Sequence, residues 1–342
     1  MFSEKFWDAI NQLEVLTLDE VAEIIEENKI RSVPFPENML LKQIQQREKS
    51  AEKNKHLLPE RHPDSEFFMA DGIDLPYVRD DIASMEYPIF ALKAGDTKDV
   101  VYEHNGFITE IKPTSAGRAT IFDKDVWIYC ISKLMQAKFE GKEINKTIRF
   151  STYDFLVQTN KKTGGSQYEQ FQQSLERLKG TMISTEVQTG GKRQTDYFGL
   201  IDSASVIEQG NNGKAISVEV TLPDWLYQTV LHNEVLGISK DYFRLRKPID
   251  RRIYEIVRKH CGKQASWKIG LDLLHQKTGA TMVLKEFRRS LNSLCQADAL
   301  PDYSIEYDRE SDMVTFINRD DEIQLIANQK ALKKVIDSMF QK

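Results

Sequence analysis

The sequence predicts an α+β fold in which one small pattern is built twice. Three observations predict it. The order helix, short strand, helix, turn, helix, hairpin runs from residue 123 to 222 and returns, shorter, from 249 to 317. Apolar residues recur three and four apart in the helical stretches and alternate in the strands, so the two element types separate by period. Turn residues, paired glycines above all, fall between them. This is the winged-helix order. The expected architecture is therefore two tandem winged-helix domains behind an extended, partly helical N-terminal region.

The elements follow in chain order. Residues 3–28 read as helix, with Thr17-Leu18-Asp19-Glu20 as a capping pattern before Val21, Ile24 and Ile25. Pro34, Pro36, Pro59 and Pro63 interrupt residues 34–76, which read as a linker with one polar helix over 38–55. Val100–Val101 and Gly106–Ile111 suggest short strands. Asp123–Phe139 is a helix with Trp127, Cys130, Ile131 and Leu134 on one face. Ile148–Phe150 is extended, and Ser151–Asn160 is a helix opened by Ser151 and Asp154. After Lys161-Lys162-Thr163-Gly164-Gly165, a third helix runs from Ser166 to Lys179 and buries Tyr168, Phe171, Leu175 and Leu178. Met182–Gln188 and Thr195–Ile201 flank Gly190-Gly191 as the hairpin, or wing. A second turn at Gly210–Gly213 leads into alternating Ala215–Leu222.

The repeat has helices over Ile249–Cys261, Leu271–Lys277 and Val283–Gln296, with Trp267–Ile269 as the intervening strand. Tyr303–Tyr307 and Met313–Ile317 form its hairpin, and a helix over 321–342 closes the chain. The expected divisions are 1–77, 78–238, 239–320 and 321–342. The first of the paired units serves dimerisation or accessory contact, and the second binds DNA.

Charge is distributed unevenly. The whole chain of 342 residues carries −5, which alone argues against a polyanionic partner. By region the net values are −8 over 1–84, −2 over 85–239, +9 over 240–289 and −4 over 290–342. Screening over roughly 8 Å at physiological salt lets a basic face act independently of a distant acidic tail.

That basic stretch supplies candidate contacts to double-stranded DNA. On the Val283–Gln296 helix, Phe287, Leu291, Leu294 and Cys295 share one arc. Lys285, Arg289 and Asn292 lie about 100° away, with Arg288 at the border. Arg and Lys read guanine, and Asn reads adenine. A solvated helix face is the competing explanation. In the first unit Gln170, Gln173 and Arg177 oppose the apolar face, and Lys192 and Arg193 sit at the wing tip. Arg244, Arg246, Lys247, Arg251 and Arg252 read as phosphate clamps, which position without specifying.

Enzymatic motifs are absent. There is no GxxxxGK[ST], HExxH or His-x-His, and the six histidines form no ligand pair. Asp80-Asp81 and Asp320-Asp321 read as solvated caps rather than metal ligands. Cys130, Cys261 and Cys295 lie in apolar-periodic segments, as buried thiols do. A non-enzyme without cofactor or metal is expected. With no leader-like start and no apolar run of roughly 18 residues, it is expected in the cytoplasm, with no membrane partner.

Five stretches resemble the plasmid replication initiator protein A family. They are Asp80–Phe90, Ala119–Cys130, Gly190–Thr195, Val220–Tyr227 and Asp241–Pro248. The resemblance implies binding to repeated sites at a plasmid origin, with host replication proteins, a helicase or initiator, as partners and a homodimer as one form. Autorepression of transcription without an initiator role is the alternative for such an architecture. The acidic residues 1–77 fall outside the resemblance and are expected to dock a host protein.

Overall fold

The computed structural model describes residues 44–45, 78–104, 107–189, 192–208, 215–327 and 329. The expected N-terminal helix over 3–28 and nearly all of the linker lie outside these residues, as do Gly190-Gly191 and residues 330–342. Residues 321–327 are helical, the described part of the expected closing helix.

The elements are β1 (Arg79–Asp81), α1 (Ile82–Glu86), β2 (Val100–His104), β3 (Phe107–Lys112), α2 (Asp125–Phe139) and β4 (Thr147–Phe150). Then come α3 (Thr152–Gln158), α4 (Gly165–Gly180), β5 (Met182–Thr189), β6 (Lys192–Gly199), β7 (Ser203–Glu208), β8 (Ala215–Thr221), α5 (Asp224–Leu231) and β9 (Val235–Gly237). A 3-10 turn at Lys240–Arg244 leads to α6 (Pro248–His260), β10 (Ser266–Gly270), α7 (Leu271–Thr278), α8 (Leu284–Ala297), β11 (Tyr303–Asp308) and β12 (Met313–Asn318).

Local chemistry explains most boundaries. Ser151 accepts a hydrogen bond from the Asp154 N–H and starts α3 as expected. Pro248 occupies the first turn of α6, where its missing N–H costs nothing. Gly279, at φ 65°, ends α7 in the left-handed region. One start differs from expectation. Gly164 is the cap of α4, so Ser166 lies inside its first turn.

The two units share a sheet topology. The strand between the first two helices pairs antiparallel with the last strand of the closing hairpin, giving the orders β4-β8-β7 and β10-β12-β11. The expected wing is placed differently. Hairpin β5–β6 is longer than expected, and β5 pairs with β3, making a separate sheet of order β2-β3-β5-β6. One row sets its register: Val100, Ile111, Ile183 and Phe198 stand opposite one another and face the core. The hairpin equivalent to β11–β12 is therefore β7–β8.

Two apolar cores result. The first gathers around Trp127, which packs edge-on against Phe90 and Trp225 at 5.1 and 5.4 Å and donates to the Leu200 carbonyl at 2.7 Å. Cys130 lies in it, and burial pushes its thiol well up. The second gathers around α6 and takes Met85 and Ile128 from the N-terminal side, so it crosses the expected division at 238. β1 also pairs with β9, tying the start of the first unit to the strand that precedes the second.

Candidate nucleic-acid interface

Helix α8 lies on the second core through Phe287, Leu291 and Leu294, all buried. Lys285 and Arg289 project from the other side and are exposed, with no side-chain partner among the described residues. Ser293 and Gln296 extend the exposed strip. The two remaining candidates on this helix are engaged locally. Arg288 donates to the Tyr307 hydroxyl at 2.9 Å and to Asp312 at 2.8 Å, on the hairpin. The Asn292 amide donates to the Arg288 carbonyl at 2.9 Å.

On α4, Gln170 and Gln173 are exposed alongside Glu169 and Glu176, giving a polar strip of mixed sign. Arg177 turns inward instead. Its Nε and Nη2 donate to the two oxygens of Asp123, each at 2.8 Å, and tie α4 to the turn before α2. That fork corrects its expected place on the exposed face. Lys192 and Arg193 begin β6, pairing with Thr189 and Gln188, and so belong to the β2-β3-β5-β6 sheet rather than to a wing beside β4.

Arg251 and Arg252 are the larger correction. Both were expected at a surface, and both are buried. Helix α6 is covered on all sides from Ile249 to Val257, so its charged residues meet protein instead of solvent. Arg251 donates to Asp125 at 2.5 Å and to the Leu245 carbonyl at 2.9 Å, and its guanidinium lies over the Phe122 ring at 4.5 Å. Arg252 donates to the carbonyls of Ser84, Met85 and Glu86 at 3.0 Å each, to that of Lys277 at 3.1 Å and to Glu255 at 3.1 Å. It thereby satisfies the open C-terminal carbonyls of α1 and holds them on α6.

Further buried charges complete this junction. Lys124 bridges Asp80 at 2.7 Å and Glu255 at 3.0 Å. Burial alone would lower Lys124, but the two carboxylates outweigh it and hold the ammonium charged. Asp81, of the adjacent acid pair, caps α1 through the Ser84 N–H at 2.7 Å, while Asp80 is buried rather than solvated. Glu86 receives Lys259 and, at 2.7 Å, Lys277. Burial pushes its carboxyl up, and those two lysines overcome burial and hold it down at about 2.

Part of the regional positive charge is thus neutralised internally. Arg244, Arg251, Arg252, Lys259, Lys277 and Arg288 each pair with a carboxylate. Arg246 and Lys247 stay exposed. Arg246 donates to the Asn160 carbonyl at 2.9 Å, which brings it beside Lys161-Lys162, residues that the helical wheel does not single out because they lie in a turn.

Among the described residues no His, Cys, Asp or Glu cluster could hold a metal ion, and no helix is long and apolar enough to cross a membrane.

The chain as a whole resembles known proteins in sequence and in fold. A family model described as replication initiator protein A matches residues 79–305. A curated protein of Wigglesworthia glossinidia brevipalpis, described as a putative replication protein, is 44% identical over 271 residues, covering 78% of this chain and 98% of that protein. Among solved structures, domains 2–3 of RctB share the fold with a TM-score of 0.53 at 13% identity, over 71% of this chain and 99% of that one. A selenomethionine form of the same two domains gives 0.52 at 12% identity, over 68% and 94%.

Proposed function

This chain belongs to the replication initiator protein A family, and from that premise we propose that it initiates plasmid replication by binding specific double-stranded repeats at the origin. In this reading the two units of matching sheet order act as tandem winged helices. Helix α8 enters a major groove, with Lys285 and Arg289 on base edges and Arg246 and Lys247 on phosphates. Helix α4 adds a second, weaker contact through Gln170 and Gln173. The observation that carries the reading is the exposed, unpaired Lys285 and Arg289 on a helix whose opposite face is locked into the core.

A homodimer and a host helicase or initiator belong to the same reading. What supports the dimer is the outer face of the β2-β3-β5-β6 sheet. Its two edges carry Val101, 60% exposed, and Tyr197, 66% exposed. A sedimentation series across concentration tests it.

Footprinting on the parent plasmid should show protected repeats. Replacing Lys285 and Arg289 together by Ala should weaken specific binding by about 10²-fold or more, since each bidentate base contact is worth roughly 1–3 kcal/mol. Unchanged affinity would remove α8 from the DNA. A plasmid that replicates normally without the gene would leave only the autorepressor role.

A further inference from the structure

The two units meet at a second cluster of charge, and its signs do not balance. The Asp125 carboxylate takes Arg251 on one oxygen at 2.5 Å and Lys161 on the other at 2.5 Å. Arg246 lies nearby, fixed by its bond to the Asn160 carbonyl. Its guanidinium and the Lys161 ammonium each feel both Asp125 and Arg251. Two cations therefore pair with one carboxylate, and a third lies within its field. The residues next in the chain, Lys162 and Lys247, are exposed; Lys247 has the Asp250 carboxyl beside it, and Lys162 adds to the excess.

Such an arrangement holds positive charge under strain. Burial weakens the Lys161 ammonium first, and Arg251 and Arg246 repel it further. Arg246, though exposed, is desolvated in part by the protein around it, and Arg251 repels it. An anion arriving at the open side would relieve both effects. Neither unit can make this cluster alone, because Lys161 and Lys162 precede α4 while Arg246 and Lys247 precede α6.

We propose that this junction is a phosphate site for the DNA backbone, in which Lys161, Lys162 and Arg246 grip the strand as it passes from one unit to the other. The proposal rests on the DNA-binding reading given above. The Lys161-Lys162 turn runs directly into α4, a helix that reading sets on DNA, so a bound duplex comes within reach of the cluster. The grip would make the spacing between the two contacts a property of the assembled protein rather than of either helix.

The test uses the full chain and its footprinted site. Lys162→Ala combined with Arg246→Ala should lower affinity for specific and non-specific DNA alike, by roughly tenfold. It should also lower the slope of log affinity against log salt by about 1–2, since each phosphate contact contributes roughly 0.9. Neutral methylphosphonates placed singly along the backbone should weaken the wild type at one or two positions between the protected halves, and should not weaken the variant there. A variant with the wild-type salt slope, or with equal sensitivity at those positions, overturns the proposal. Lys162→Ala alone, at an exposed side chain, repeats the test without touching the Arg246 contact, and no change in salt slope there counts against Lys162. Saturable binding of inorganic phosphate or a nucleoside triphosphate that the double variant loses, without any effect on DNA, also overturns it, since the ligand would then be a free phosphate. Failure of the DNA reading itself looks different: no footprint, and no effect of Lys285→Ala with Arg289→Ala.

Discussion

Arg252→Ala should damage the fold and leave the DNA contacts of the remaining folded protein alone. The guanidinium serves four carbonyls and one carboxylate, and Ala takes this donor from all of them at once. Glu255 would keep Lys124 and the Tyr242 hydroxyl, while the C-terminal carbonyls of α1 would have no replacement donor from this side. Removing one partner of a buried ion pair costs about 3–5 kcal/mol. For a body of this size each kcal/mol shifts the melting temperature by about 2–4 °C, so a fall of roughly 6–20 °C is expected. Urea unfolding and calorimetry measure the loss. Salt-dependent DNA binding of the folded fraction supplies the contrast, because a phosphate clamp would reduce the slope by about one. Arg252→Lys should recover little, since an ammonium cannot present a planar fork to carbonyls from two helices. A variant that loses under about 1 kcal/mol and also loses a unit of salt slope would refute the structural role and restore the phosphate role.

Three other perturbations follow from the same geometry. Glu86 has its folded carboxyl held at about 2 by Lys259 and Lys277 against burial, below the roughly 4.3 of an unfolded chain. Its contribution is present above that unfolded value and is lost as pH falls from there through about 2; acid denaturation of Glu86→Gln should be flatter in that window, and an unchanged acid limb would count against the pairing. Gly117 has φ +90°, and a Cβ there would stand 2.8 Å from the Gly95 Cα, so Gly117→Ala should lower the unfolding free energy measured in urea by about 2 kcal/mol or more, whereas an unmoved midpoint would contradict the close approach. Arg177→Ala should cost roughly 1.5–3 kcal/mol of stability through the lost fork on Asp123, with the DNA salt slope unchanged; a lower slope with full stability would return Arg177 to the DNA face.

The family-like stretches acquire a physical meaning here. Asp80–Phe90 holds β1 and α1, and Ala119–Cys130 holds Asp123, Lys124 and Asp125. Three of their charges are spent on the junction: Glu86 on the lysines of α6 and α7, Lys124 on Glu255 and Asp125 on Arg251, while Asp80 supports Lys124 and Asp123 holds α4 within the first unit. The stretches read from sequence as marks of an initiator are, in the fold, the parts that join its two units.

What the sequence by itself determined was local. Helical period and Ser151 at a cap placed the helices, because those signals act within one turn of chain. The outward side of α8 was equally legible, since Phe287, Leu291 and Leu294 leave Lys285 and Arg289 a single free arc. Only the tertiary structure decided strand partners and the fate of charge. Hairpin β5–β6 carries the alternation of any strand pair, and nothing near it in the chain says that β3, some 70 residues earlier, is its neighbour. Arg251 and Arg252 sit on a helix as amphipathic as α8, yet Asp125 lies 126 residues from the first and the carbonyls of α1 more than 160 from the second. A charged side chain faces solvent or a buried partner according to what the rest of the chain packs against it, and period carries no information about that.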